Sequence, residues 1–313
     1  MKQLLLHPFL IVVPEMALLM AALILLIQAP ALADQAYDKD EFELAFVANV
    51  DGNWDLYVST RNGDKIRQLT DTPYDEMNPD WSPDGRFVAV GCTDGIIRII
   101  SVESLEQKAV MPIDSTMLYD QPRFSPDGEL LAVSIQYRST TDATDVGLIN
   151  LGTQSVTIPL DQQSLQLFPS WSPDARSLYY TFASCSMPCG RIIQDVWCYD
   201  FSASLPRQVL LTNAHCRSPV VSPDGETIAF AANIGSAFDL WLCGVDGDSL
   251  RQLTADAAFD TSPTWDADGA RIVFASTRDG DGLGIFDLEV ETGIILRIVP
   301  LGKDVECKDP DLK

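Results

Sequence analysis

Four residues near the middle of the chain have the types and spacing of a soft-metal site. Cys185 and Cys189 stand in "ASCSMPCGR", with Met187 between them, and His215 and Cys216 stand in "TNAHCRSP". Thiolates and an imidazole together suit zinc or copper. The thiols alone suit a different end. In an oxidising compartment, a disulfide drawn from Cys185, Cys189 and Cys216 is the first expectation. The cysteine count is seven, an odd number, so at least one stays free or pairs between chains. Cys92, Cys198 and Cys243 sit in or beside strand-like runs and read as small apolar residues. Calcium is the other candidate ion. "DGNWD" at 51–55 and "DGDG" at 279–282 bring oxygens together, with Asp279 and Asp281 as candidate ligands. Neither stretch has the twelve-residue spacing or closing glutamate of an EF-hand loop. Asp55, Asp145, Asp195 and Asp239 recur at one place before a strand, which favours turn aspartates bonded to backbone amides.

Nucleophilic catalysis has few parts to work with. There is no GxSxG, no GxxxxGK and no dinucleotide fingerprint after a strand. Beyond the first 33 residues the one histidine is His215, so a Ser-His-Asp system would have to be built on it. Cys216 beside it is no ready dyad, because neighbours in an extended segment point to opposite sides. No catalytic residue and no cofactor is therefore assigned.

The elements that position these residues follow from a repeat. "WSPDG" at 81 returns as "FSPDG" at 124, "WSPDA" at 171, "VSPDG" at 221 and "WDADG" at 265. A period in this range marks a repeat architecture. Each copy is followed by short runs rich in β-branched and aromatic residues, such as "FVAV" and "IIRII", or "TIAFAA", "DLWLC" and "LRQLT". Four short strands per unit of about 43 residues is the blade of a β-propeller. Ser, Pro and Gly at the first, second and fourth corners are what a type I turn prefers. The third-corner aspartates, Asp84, Asp127, Asp174, Asp224 and Asp268, are then structural, and Trp81, Trp171 and Trp265 pack between blades. Ahead of the first motif, "ELAFVAN", "DLYVST" and "KIRQLT" match strands two to four of a unit that lacks its first strand. "DPDL" at 309–312 matches "NPDW" at 78–81, so the C-terminus supplies that strand. The expectation is an all-β, six-bladed propeller of four-stranded antiparallel blades over residues 41–313, closed by a C-terminal strand that completes the N-terminal blade.

The first 33 residues have a positive start, an apolar core over 16–27 and small residues at Ala31 and Ala33. That reads as a signal peptide, or, uncleaved, as an N-terminal anchor tethering the protein to a membrane through residues 3–27. Export follows in either case: periplasmic, cell-surface or secreted. Lys2 and Glu15 cancel, so residues 34–313 keep the net charge of −24. Such acidity repels phosphate backbones, excludes nucleic acid as a partner and favours basic ones.

The units "PDWSPDGRFVAV", "PSWSPDARSLYYTF" and "STRNGDKIRQLTDTPYDEMNPDWSPDG" resemble the TolB-type, WD40-like propeller repeat, over about residues 41–312. The resemblance implies a six-bladed propeller and a bias toward protein binding, and supplies no catalytic residues. TolB carries an α/β domain before its propeller, and here few residues separate the signal from the first blade. The hydrolase domain that such propellers front in prolyl-oligopeptidase-like peptidases has no counterpart motif.

A blade of this kind puts its short turns on one face and its long loops on the other. The long ones include "TDTPYDEMNP", "PIDSTMLYDQP" and "PLDQQSLQLFP". Irregular loops on a rigid scaffold are where recognition usually lies. The candidate contacts at that mouth of the channel are Trp54, Tyr74, Glu76, Met77, Tyr119, Asp120, Phe168, Arg217, Phe238 and Asp260. The function expected is a protein- or peptide-binding module of the cell envelope or exterior. The alternative is a hydrolase or lyase with a metal or carboxylates at the channel mouth.

Overall fold

The computed structural model describes residues 41–313, except 51, 141, 142, 161, 163, 187–190, 236, 281, 301, 303 and 304. Every regular element among the described residues is a strand. β1 (Leu44–Asn49), β2 (Trp54–Ser59) and β3 (Ile66–Gln68) come first, then a four-stranded meander of β4 (Glu76–Trp81), β5 (Phe87–Cys92), β6 (Ile97–Ser101) and β7 (Gln107–Val110). Next come β8 (Met117–Phe124), β9 (Leu130–Tyr137), β10 (Thr144–Asn150) and β11 (Val156–Thr157). They are followed by β12 (Leu165–Trp171), β13 (Ser177–Ser186), β14 (Arg191–Asp200) and β15 (Leu205–Gln208). Two more meanders close the sequence: β16 (Cys216–Val221), β17 (Thr227–Ala232), β18 (Asp239–Gly244) and β19 (Arg251–Gln252), then β20 (Asp260–Trp265), β21 (Arg271–Ser276), β22 (Gly284–Glu289) and β23 (Ile295–Arg297). The final strand, β24 (Glu306–Leu312), pairs antiparallel with β1, and that sheet runs β24-β1-β2-β3.

The all-β class and the propeller arrangement stand, but the sheets differ from six separate blades. Four sheets have four strands, and β8 to β15 form one sheet of eight. Its two meanders are joined where β10 and β12 run parallel, at the single pair Thr144–Leu165. Short β11, two residues long, pairs on the other side of β10.

The repeated turn holds for a local reason. In the first copy the Gly85 amide donates to the Ser82 carbonyl at 2.8 Å, as a type I turn requires. The Ser82 hydroxyl donates to Asp84 Oδ1 at 2.7 Å, and the Arg86 amide donates to the same oxygen at 3.1 Å. Ser125–Asp127, Ser172–Asp174 and Ser222–Asp224 repeat the contact. These donors hold all four carboxyls below their ordinary range. The third-corner aspartates are thus committed to the turn. In the worn copy "WDADG", Asp266 takes over, accepting from the Arg271 amide at 3.0 Å.

The first strands are where the units meet. β4 touches β8, β8 touches β12, β12 touches β16, β16 touches β20, β20 touches β24 and β24 touches β4. The apolar clusters lie between neighbouring meanders: Trp265 of β20, for example, packs with Ala229 and Leu242 of the preceding sheet. Trp265 Nε1 donates to the Val220 carbonyl at 3.2 Å and Trp171 Nε1 to the Arg123 carbonyl at 3.1 Å, each reaching back one unit. An indole therefore supplies both area and a hydrogen bond at the junction.

Two outcomes are expected. The fourth corner is left-handed in every copy, and Ala175 (φ 58°) stands where the others have Gly85, Gly128, Gly225 and Gly269. Ala175→Gly relieves the Cβ clash at the cost of a looser unfolded chain, a net gain of about 0.5–1 kcal/mol in denaturant unfolding. Deleting residues 308–313 strips most of β24, exposes the edge of β1 and removes Asp311, which accepts the Trp81 amide at 2.8 Å. The loss should reach at least about 3 kcal/mol, a midpoint lower by roughly 6–10 °C; an unchanged midpoint would show that β24 is dispensable.

Candidate functional site

The first strands begin earlier than the loops read from sequence allow, and this changes the candidate site. In all six, a left-handed residue precedes a proline: Asn78, Gln121, Phe168, Ser218, Ser262 and Asp309, with φ between 48° and 56°. Each sits at a register shift in its strand pair. Such a bulge bends the strand and re-aims the side chains beside it.

Two residues before the bulge residue comes one repeat position, held by Glu76, Tyr119, Gln166, Cys216, Asp260 and Cys307. All six are 0% exposed. Glu76, Tyr119 and Asp260 were expected in loops at the mouth; they lie within strands and are buried. Tyr119 is a core ring whose hydroxyl accepts from the Ile113 amide at 3.2 Å. Asp260 receives Arg278 Nη2 at 2.9 Å on both oxygens, and that guanidinium also lies over the Phe274 and Phe286 rings. Glu76 accepts from the hydroxyls of Thr70 (2.9 Å) and Thr72 (2.6 Å). Burial outweighs those two donors and pushes its carboxyl up to about 7. Cys216 is a free, fully buried thiol against the Thr212 hydroxyl.

One residue further on, the side chains leave the junction. Met77, Asp120 and Lys308 are half-buried and Arg217 is exposed. Lys308 Nζ sits 4.3 Å from the Trp54 ring centre, and the Arg217 guanidinium lies 5.2 Å from that of Phe238, which packs on Phe259. Tyr74 is 39% exposed with Arg98 over its ring at 5.1 Å. Cation–π pairs at such sites contribute about 0.5–1 kcal/mol, so these aromatics are held rather than loose.

Residues from all six first strands, Phe168 among them, line one cavity of about 30 Å³. That is room for about one water, so the axis is plugged at the level of the prolines. Beside the plug lies a carboxylate group of which the sequence reading singled out Asp120 but missed Asp80 and Asp311. Asp80 accepts the Phe124 amide at 2.6 Å and Asp311 accepts the Trp81 amide at 2.8 Å, each clasping the next unit. Arg123 Nε stands 3.7 Å from Asp80, and Asp120 accepts from Asn78 Nδ2 at 3.2 Å. Burial raises all three carboxyls, Asp80 furthest because Asp311 repels it. The signal was present in the shared Pro-Asp of "NPDW" and "DPDL".

The ion candidates fare as follows. Asp279 pairs with Arg297 Nη1 at 3.0 Å, and Asp281 lies outside the described residues. Cys189 and the side chain of Cys185 also lie outside them, and the His215 amide donates to Asn233 Oδ1 at 2.8 Å. Because Cys216 is free, a disulfide through it is not what the structure has. Among the described residues no three His, Cys, Asp or Glu side chains gather as a metal site. Asp55 and Asp195 brace the inter-unit loops: each accepts a backbone amide, of Thr72 (3.3 Å) and Thr212 (2.9 Å), and a glutamine amide, of Gln68 (3.2 Å) and Gln208 (3.1 Å).

Glu76 gives a pH dependence with a definite sign. Its folded pKa is raised, so its contribution to stability is complete below the unfolded value near 4.5 and is lost as pH rises through about 7. Glu76→Gln keeps the threonine partners and should flatten the fall in melting temperature between pH 4.5 and 7, a gain of about 2 kcal/mol above pH 7. A variant with the wild-type slope would place the titrating group elsewhere.

Comparison with known proteins agrees with this architecture. Residues 193–307 match the sequence family described as the TolB beta propeller domain, and residues 44–120 match the anaphase-promoting complex subunit 4 WD40 domain. Tol-Pal system protein TolB of Anaeromyxobacter dehalogenans is 39% identical over 114 residues, which are 36% of this chain and 24% of that one. The match therefore spans about a quarter of the relative's length. Among solved structures, TolB from Acinetobacter baumannii superposes with a TM-score of 0.73 at 16% identity, over 87% of this chain and 66% of that one. The structure of a putative TolB from Agrobacterium tumefaciens gives 0.66 at 18% identity, over 87% and 99%. With the repeated turn, the meanders and the Pro-bearing first strands, these matches support a TolB-like propeller.

Proposed function

We propose that this chain is a six-bladed, ring-closed propeller, exported behind residues 1–33, that holds a segment of a partner protein over its long-loop face. The eight-stranded sheet counts as two blades, since one parallel pair alone joins its halves. The cycle of first-strand contacts from β4 round to β24 and back supports closure. Residues 1–40 lie outside the described residues, so export rests on their composition.

The observation that carries the binding reading is the set of stacked aromatic–cation pairs on this face, Trp54–Lys308, Phe238–Arg217 and Tyr74–Arg98. Lys308 and Arg217 immediately precede residues that line the axial plug, so two of the pairs stand at its rim. Ordered aromatics give contact area at low entropic cost, which is how interface anchors work. The partner segment rests on the rim and does not thread the axis, because the plug leaves room for about one water. Trp54, Tyr74, Met77, Asp120, Phe168, Arg217 and Phe238 remain the contact set. Glu76, Tyr119 and Asp260 support it from the junctions. The net charge of −24 favours a basic partner and makes its capture sensitive to salt. The TolB relative is named a Tol-Pal system protein, which agrees in kind with this reading.

Capture of envelope proteins by purified variants tests it, at low and raised salt. Trp54→Ala and Phe238→Ala should each weaken capture roughly tenfold while lowering the melting temperature by only about 2–4 °C, the cost of the lost ring contacts. Asn62→Ala and Asp248→Ala, in the short turns of the opposite face, should leave capture intact. The reverse pattern would assign recognition to the short-turn face.

A further inference from the structure

A second cavity lies away from the proposed binding face. It has a volume of about 760 Å³ and opens between the β4–β7 and β8–β11 meanders, on the face of the short turns. Its floor is Phe87, Ile99, Phe124 and Leu151. The volume falls in the range of small-molecule sites.

The repeat explains why a cavity exists there. At three junctions the residue before the turn is tryptophan: Trp81, Trp171 and Trp265. Trp171 and Trp265 each reach back to a carbonyl of the preceding first strand. At this junction the residue is Phe124, which has a smaller ring and no indole nitrogen. In the repeat register the carbonyl left without an indole partner is that of Asp80. A further narrowing of the side chains occurs in the same meander, where Gly147 stands at the position held by Trp197 and Trp241.

The rim has a sign. Asp84, Glu106 and Asp127 border the opening with the cation Lys108, all four exposed, and Arg86 stands beside them with its guanidinium 5.4 Å from the Phe87 ring centre. Asp84 is already met by Arg86 Nε at 2.7 Å. Asp127 accepts from the Ser125 hydroxyl and the Glu129 amide, and neither it nor Glu106 forms an ion pair among the described residues. An aromatic floor under a predominantly anionic rim complements an amphipathic cation.

We propose that this junction is a binding site for a small organic cation with an aromatic body, an arylalkylamine in chemical class. The ring lies on Phe87 and Phe124, and the ammonium faces Asp127 and Glu106. The site is independent of the long-loop face, and its failure would leave the partner-binding reading untouched.

Calorimetric titration of the full chain tests the assignment with three probes of one shape: tryptamine, tryptophol and indole-3-acetate. Tryptamine should bind with a Kd of roughly 0.1–1 mM, as a ligand of about 12 heavy atoms can. Tryptophol should bind roughly fivefold more weakly, the worth of a part-exposed ion pair, and the acetate more weakly still. Glu106→Gln should narrow the gap between amine and alcohol. Phe124→Trp installs the residue used at three other junctions, should fill the groove and should abolish tryptamine binding without lowering the melting temperature. Indifference of binding to probe charge, retention of full affinity by folded Phe124→Trp, or no heat from tryptamine up to about 5 mM would each overturn the proposal.

Discussion

The left-handed residue before proline in every first strand is the constraint on which the rest of the molecule depends. A non-glycine residue held there costs about 1–2 kcal/mol, and six first strands carry one. The bulge divides each strand into two parts with different tasks. The part before it sends one side chain into the junction and the next toward the long-loop face. The part after it lines the axis and then delivers the large residue that packs under the repeated turn. A regular strand would alternate faces along its whole length and could not serve the junction, the rim and the axis in turn.

Polar groups released or buried by this geometry are taken up between units. Asp80 and Asp311 accept backbone amides of the next first strand, so a carboxylate fills the role that a ladder partner fills inside a sheet. Their mutual repulsion is offset by Arg123 and by those amides. Elsewhere the same junction is closed by an indole reaching back to a carbonyl. The units are thus alike in backbone and different in the chemistry of their seams. Where the seam has neither an indole nor a large strand residue, at Phe124, a cavity remains.

This division of labour separates structure from recognition. The fully buried repeat position accepts a glutamate, a tyrosine, a glutamine, an aspartate and two cysteines, each satisfied by a local partner or by apolar packing. Its neighbour one residue on carries Met77, Asp120, Arg217 and Lys308, which remain at least partly accessible. Variation at the first position tunes each seam, and variation at the second tunes the surface. The acidic charge of the chain lies over both without deciding the fold, since the turn aspartates are ionised and locally bonded.

The sequence by itself determined the strand content, the repeat and the chemistry of the turn. Ser, Pro, Asp and Gly act over five residues, and a turn of that span carries its own hydrogen bonds wherever it is placed. It also located the C-terminal match to the first strand, because "DPDL" repeats "NPDW". The tertiary structure alone decided which candidate residues face solvent. Glu76, Tyr119 and Asp260 are polar or amphipathic residues beside Pro-bearing segments, and such segments read as loops. Their burial depends on a neighbouring unit that begins tens of residues away in the chain. The clasp from Asp80 to the Phe124 amide spans 44 residues, and that from Asp311 to the Trp81 amide spans 230. Local pattern has no access to contacts of that separation. It can show that six segments are alike, but the fate of each side chain is fixed by what the next unit presents to it.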